Sequence, residues 1–309
     1  MKIKLLDKKT LGDDISLEKI QALGELEVFD TTPPVKTKER VKDADIIITN
    51  KVVIDKEIME SSSNLKLICV AATGMNNIDL DSAKELGIEV KNVAGYSTSS
   101  VVQHTFSMLF YLIGSSAYYD NYVKSKSWSR SDIFTNLERP FFEIMGKKWG
   151  IIGLGSIGEA VASVASSFGA EVSYYSTNQN PHSNSFTHKN LRDLLKESDI
   201  ISIHAPLNKN TKNLIGEDEL NLLKERAVLL NLGRGGIVDE VALAKKIDSS
   251  SILVGLDVTS SEPLPEESPL LNLKNSHQLY ITPHIAWASV EARERLVAGI
   301  AKNIEEFLG

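Results

Sequence analysis

The feature that most limits how this chain can fold is a glycine-rich segment in its middle, Gly153-Leu154-Gly155-Ser156-Ile157-Gly158. The apolar run Trp149–Gly153 precedes it, a helical pattern over Ser156–Phe168 follows, and a second apolar run comes at Glu171–Tyr175. Strand, turn, helix and strand make a βαβ unit, and each glycine then has a steric reason. Gly153 allows the tight turn, Gly155 lets the backbone approach a pyrophosphate, and Gly158 lets the helix pack on the strand. The helix start offers free N–H groups and partial positive charge to phosphates. The turn therefore reads as a cradle for a nicotinamide dinucleotide. Because it lies mid-chain, the cofactor domain is expected to be nested within a second domain built from both chain ends.

Short apolar runs alternate with helical patterns along the whole chain, the signature of parallel strands with crossover helices. Strands are predicted at Ile3–Leu6, Leu26–Phe29, Asp45–Thr49, Lys66–Val70 and Ile88–Asn92. The second series is Trp149–Gly153, Glu171–Tyr175, Ile200–His204, Ala227–Leu232, Leu253–Val258 and Leu279–Thr282. Between the series runs one long helix, Thr98 to about Tyr122, apolar on most faces and so expected to be buried, between domains or against a second copy. A polar surface loop is expected over Lys124–Glu143, and a last helix over Val290–Leu308.

Composition narrows the function classes. A net charge of -7 argues against a nucleic-acid or membrane surface. No apolar stretch approaches the ~20 residues needed to span a bilayer, and Asp7 sits where a signal peptide needs an apolar core. A cytoplasmic location is expected. The single cysteine, Cys69, excludes an intramolecular disulfide and a cysteine zinc cluster, and no metal is expected. Its setting in Leu67-Ile68-Cys69-Val70 reads as a buried small hydrophobe.

An acid about 20 residues beyond the turn would normally bind the adenosine ribose. Here the strand ends in Tyr175-Ser176-Thr177, and Glu171 is at its wrong end. Ser176 can hydrogen-bond a ribose hydroxyl but cannot repel a 2′-phosphate. NAD is the expected cofactor, with NADP possible and discrimination modest.

Hydride exchange between a hydroxy acid and an oxo acid needs a base, a cation for the carboxylate, and a group that orients the base. His284, after Thr282-Pro283 at the end of the last strand, is the base candidate. Arg234, in Asn231-Leu232-Gly233-Arg234-Gly235-Gly236, is the cation candidate, since a guanidinium clamps a carboxylate in bidentate fashion. Glu262, in Ser261-Glu262-Pro263, is the orienting candidate. A carboxylate on the second ring nitrogen fixes the tautomer and favours the protonated imidazole. Asp257, at a strand end, is a buried acid placed to contact the nicotinamide end. His182 and His188, in polar loop sequence, read as ordinary surface or core residues.

Together these segments resemble the D-isomer-specific 2-hydroxyacid dehydrogenase family over nearly the whole chain. The matching stretches are Gly153–Gly158, His204-Ala205-Pro206-Leu207 with Thr211, Asn231–Gly236, Gly255–Pro263 and Thr282–Ser289. The resemblance gives Arg234, Glu262 and His284 the family's catalytic positions. It adds cofactor contacts at Ser156, Ile157, Pro206, Thr211, Asn231, Leu232 and Asp257. Ala71–Asn77 resembles the loop that holds the substrate carboxylate with backbone N–H groups, which points to Thr73, Gly74 and Met75. Asn92–Ser97 resembles the hinge, with Ser97 at the substrate. The implied fold is α/β: two doubly wound parallel-sheet domains, a Rossmann cofactor domain (98–285) nested in a flavodoxin-like substrate domain (1–97 and 286–309).

Within the family, Val101-Val102-Gln103-His104 and Thr282–Ser289, with Trp128 more loosely, look most like bacterial glycerate dehydrogenases, also called hydroxypyruvate reductases. The implied reaction takes hydroxypyruvate or glyoxylate to D-glycerate or glycolate. The small acid binds between the domains on Thr73–Met75 and Arg234, its C2 receives hydride, and protonated His284 supplies the proton. A homodimer through the Thr98–Tyr122 helix is expected. Competing readings are a dinucleotide-sensing protein without catalysis, or a dehydrogenase acting on formate or phosphite. No regulatory tail is expected, unlike the longer phosphoglycerate dehydrogenases.

Overall fold

The computed structural model describes residues 1–178, 183 and 185–309. The expectation for His182 lies outside the described residues. Two compact units emerge, one of Met1–Ser97 with Trp287–Gly309 and one of Thr98–Ala286.

The first unit is a five-stranded parallel sheet of β1 (Lys2–Leu5), β2 (Glu25–Val28), β3 (Ile46–Thr49), β4 (Leu67–Val70) and β5 (Glu89–Lys91). Its order is β2-β1-β3-β4-β5, the flavodoxin-like arrangement. β3 and β4 are buried along their whole length, as strands covered on both faces must be, and this is why they read as unbroken apolar runs. Alternate residues feed two cores. Ile46, Ile48, Leu67 and Cys69 meet the Ala292–Ile304 face of the last helix, and Ile47, Ile68 and Val70 pack with Val41, Ile58 and Met59 on the other side.

The second unit is a seven-stranded sheet of β6 (Lys148–Ile152), β7 (Glu171–Tyr175), β8 (Thr187–His188), β9 (Ile200–Ile203), β10 (Val228–Asn231), β11 (Leu253–Leu256) and β12 (Leu279–Ile281). The order β12-β11-β10-β9-β6-β7-β8 reverses direction at β6, and every pairing is parallel. The glycine turn leaves β6, so it sits at the topological switch point where open α/β sheets bind ligands. The segments after β7, β9, β10, β11 and β12 share that carboxyl edge, and they hold Ser176, Pro206, Arg234, Asp257 and His284.

Three expectations need correction. The long helix is two, Thr98–Ile113 and Ser116–Lys124. Gly114 and Ser115 end the first, and Ser115 takes φ 47 in the left-handed region, the common way for a helix to stop. The first helix is buried on one side only, through Val101, Thr105, Phe106, Met108, Leu109, Leu112 and Ile113, while Phe110 is exposed. His188 is not in a loop but in the short edge strand β8, its ring against that of Tyr174. Two polar residues carry no periodicity, so nothing in the sequence marked that strand.

Candidate active site

The helix Ser156–Ser167 starts from Gly155 with no side-chain cap. The N–H groups of Ser156 and Ile157 donate to no partner among the described residues. Packing explains two of the three glycines. A Cβ at Gly153, where φ is +90°, would lie 2.9 Å from Ala205 N, and one at Gly158 would lie 2.2 Å from Gly153 O. Gly155 differs, because a Cβ there would meet nothing within 4 Å among the described residues. The protein's own packing does not demand that glycine, and the absence of a side chain there leaves the turn open to a group from outside. Open donors and open space fit a pyrophosphate at this turn.

After β7, Ser176 is buried and its hydroxyl donates to Asn178 Oδ1 at 2.5 Å. Sequence reading did not single out Asn178, which this bond ties to the expected ribose position. After β9, Thr211 is fully buried. Its hydroxyl donates to Pro206 O at 2.7 Å and accepts the Asn208 N–H at 2.8 Å. Thr211 thus shapes the loop that presents Pro206. Leu232, after β10, is buried beside it in sequence.

Asn231 organises the next segment. Its side chain donates to Arg234 O at 3.0 Å and accepts the Gly233 N–H at 3.1 Å. Arg234 Nη1 donates to Gly233 O at 2.8 Å. No acidic side chain pairs with this guanidinium among the described residues, so its charge remains available to an anion. A Cβ at Gly235 would lie 1.8 Å from Thr259 O. The Arg234 segment is therefore pressed against the backbone of the Thr259–Glu262 segment, at a spacing only glycine permits. Glu240 strengthens the second segment by accepting both the Ser260 N–H, at 2.5 Å, and its hydroxyl, at 2.8 Å.

Glu262 Oε1 accepts the Thr259 N–H at 3.1 Å, and its Oε2 meets His284 Nδ1 at 2.7 Å. A carboxylate only accepts, so Nδ1 carries the hydrogen and Nε2 is turned away from Glu262. His284 takes φ 55, uncommon for a residue with a Cβ. Asp257, 2% exposed, holds the chain beside it. Its Oδ1 accepts the Thr282 hydroxyl at 2.7 Å and the Ile285 N–H at 2.8 Å, and its Oδ2 accepts the Ala286 N–H at 3.0 Å.

The first unit holds the remaining expected residues. Thr73, Gly74 and Met75 follow β4 at its carboxyl end. Thr73 Oγ1 donates to Val93 O at 3.1 Å, and Asn92 Nδ2 donates to Thr73 O at 2.6 Å. The N–H groups of Thr73, Gly74 and Met75 have no partner among the described residues, which leaves three donors open. Asn92 was not anticipated in this role. Ser97 is buried at the end of this segment.

Among the described residues no group of three or more His, Cys, Asp or Glu is placed to hold a metal ion, and no helix is long and apolar enough to cross a membrane.

The chain is similar to known proteins along its whole length. The family profile "D-isomer specific 2-hydroxyacid dehydrogenase, NAD binding domain" matches residues 106–286. A hydroxypyruvate reductase of Blautia hydrogenotrophica is 35% identical over 315 residues, spanning 100% of this chain and 97% of that protein. A glycerate dehydrogenase of Methylorubrum extorquens is 34% identical over 312 residues, covering 99% of this chain and 96% of its own. Among solved structures, the D-lactate dehydrogenase of Aquifex aeolicus complexed with NAD and lactic acid superposes with a TM-score of 0.84 at 27% identity, over 100% of this chain and 96% of that one.

Proposed function

The chain belongs to the D-isomer-specific 2-hydroxyacid dehydrogenase family, and from that premise we propose that it reduces a small 2-oxo acid to a D-2-hydroxy acid, with hydroxypyruvate or glyoxylate as substrate. The observation that carries the reading is the Glu262–His284 pair at 2.7 Å, on the same sheet edge as an arginine with no acidic partner among the described residues.

When bound, the nicotinamide cofactor supplies the hydride; the residues of the chain supply everything else. Arg234 holds the substrate carboxylate and draws charge from its carbonyl oxygen. The open N–H groups of Thr73, Gly74 and Met75, with Ser97, take substrate contacts. His284 gives the proton from Nε2 to the carbonyl oxygen as the alkoxide forms. Glu262 keeps Nδ1–H engaged, so the ring presents Nε2 and its charged form is compensated. Gly153, Gly155, Ser156, Ile157 and Gly158 hold the pyrophosphate. Ser176 meets the ribose, while Pro206, Thr211, Asn231, Leu232 and Asp257 shape the rest of the cofactor site.

A panel of hydroxypyruvate, glyoxylate, pyruvate and formate, each assayed with NADH or NAD and with NADPH or NADP, tests this. The highest kcat/KM should fall on hydroxypyruvate or glyoxylate. Binding of NADH without turnover of any of them would favour a sensing role and sink the proposal.

A cytoplasmic homodimer is part of the same reading. Support for the dimer is the segment after the helix Ser116–Lys124, where Trp128, Ile133, Phe134, Leu137 and Phe141 are all exposed, Phe134 by 88%. Exposed apolar side chains close together in sequence suit an association surface, and they follow directly on the Thr98–Tyr122 stretch expected to carry the interface. A monomer in sedimentation at micromolar concentration would refute it.

A further inference from the structure

We propose that His104 is a positioning residue for the hydride-transfer reaction, acting through Thr282 and Asp257 to fix the backbone turn that presents His284. The inference rests on the function proposed above.

His104 and Ser100 are four residues apart on the helix Thr98–Ile113, so they share one face. That face is bonded to the segment carrying His284. Ser100 Oγ donates to Ala286 O at 2.6 Å, and His104 Nε2 lies 3.0 Å from Thr282 Oγ1. The direction of the second bond follows from the first shell of Thr282. A hydroxyl has one hydrogen, and it goes to Asp257 Oδ1 at 2.7 Å, because a carboxylate can only accept. Thr282 Oγ1 must therefore accept from His104, whose Nε2 carries the hydrogen. Burial holds the His104 imidazole below the ordinary histidine range, against a partial upward pull from Asp257. The donor is thus a neutral ring in its Nε2–H form.

The relay then passes to the backbone. The oxygen of Asp257 that takes the Thr282 hydroxyl also takes the Ile285 N–H, and its partner oxygen takes the Ala286 N–H. These two amides directly follow His284, whose left-handed conformation the surroundings must hold in place. His104 Nε2 is also 3.6 Å from Asp257 Oδ1, so the ring dipole sits against a carboxylate with almost no access to water. Removing the ring leaves Thr282 Oγ1 without its donor and Asp257 less compensated. The His284 turn would then sample other conformations, and a small misplacement of a proton donor is costly in rate.

The test uses three variants of the full chain. His104→Phe removes the donor, His104→Gln restores an N–H at similar reach, and Thr282→Val removes the acceptor. With the best oxo acid, His104→Phe should lower kcat about tenfold or more while KM for NADH moves less than about twofold. The isotope effect with 4-deuterated NADH should change with it, and His104→Gln should recover most of the loss. In the Thr282→Val background, His104→Phe should add little, since both act through one bond. Hydrogen exchange over residues 282–286, without cofactor, should speed up in His104→Phe and return in His104→Gln. A kcat for His104→Phe within twofold of wild type, or no rescue by His104→Gln, would overturn the proposal. If His104→Phe does not fold, Thr282→Val and His104→Gln carry the same comparison. If the wild type reduces no oxo acid, the assigned reaction fails, and unchanged or changed exchange still decides whether His104 holds the turn.

Discussion

Glu262 binds two loops at once: its Oε2 lies 2.7 Å from His284 Nδ1, and its Oε1 accepts the Thr259 N–H at 3.1 Å. One carboxylate thus sets both the tautomer of the imidazole and the path of its own segment. His284→Asn should lower kcat by about 10²–10⁴, the ordinary worth of a positioned acid or base. NADH affinity, measured by fluorescence titration, should survive. A near-normal kcat would remove His284 from the reaction. Glu262→Gln keeps the shape but loses the charge, and kcat should fall with it, by less than in His284→Asn.

The ribose end makes a separate prediction. Ser176 carries no charge to exclude a 2′-phosphate, and its hydroxyl is bound to Asn178 at 2.5 Å. Ser176→Asp would supply both a bidentate acceptor for ribose hydroxyls and repulsion of the phosphate. The NAD over NADP ratio of kcat/KM should rise at least tenfold. An unmoved ratio would take the ribose assignment away from Ser176.

Gly235→Ala probes the interlock of the Arg234 and Glu262 segments. The new methyl would lie 1.8 Å from Thr259 O and 2.6 Å from Ser260 N, both backbone atoms. No side chain can rotate away to admit it, so one segment must move. Stability should fall by about 1–3 kcal/mol, the usual cost of overpacking. Activity should fall further than Tm alone explains, because the movement separates Arg234 from Glu262. Wild-type Tm and kcat/KM together would contradict the packing described.

His204 predicts how the protein responds to acid. Neither buried ring nitrogen has a hydrogen-bond partner among the described residues, and burial lowers its pKa to about 3. The unfolded chain takes up a proton near the ordinary value of about 6.5, whereas the folded protein does not until about 3. Stability is therefore intact above about pH 6.5 and is lost as pH falls through the window down to about 3. The slope approaches about 1.4 kcal/mol per pH unit for this one group. Urea unfolding at pH 7.5 and pH 5 should show a smaller loss for His204→Leu than for wild type. Equal losses would mean the ring finds a partner in solution.

Cys69 should be inert in the folded protein. It is fully buried in β4, and burial pushes its thiol up to about 12, which leaves almost no thiolate to react. A disulfide reagent should titrate no thiol in buffer and one in denaturant. Fast labelling of the native protein would contradict this burial.

Much of this site could be read from the chain because its parts are local. The glycine turn, Asn231–Gly236 and the segment around Glu262 each follow a strand directly, so their functional residues announce themselves next to an apolar run. The seven-stranded sheet shows the limit. Its strands were legible, since burial on both faces forces apolar sequence, except β8, whose two residues Thr187 and His188 are exposed.

The sequence by itself determined two parallel-sheet units, marked Gly153–Gly158 as a dinucleotide turn, and offered Arg234, Glu262 and His284 as candidates for hydride transfer. Tertiary structure alone decided how those groups are held. The pairing of β11 with β12 sets Leu256 opposite Ile281, so the next residues, Asp257 and Thr282, meet at 2.7 Å. His104 reaches the same point from 178 residues away. Side-chain periodicity records which face of a strand or helix is buried, because that depends on near neighbours in the chain. It carries no record of which strands lie side by side, and the order of strands is what brings these three residues together.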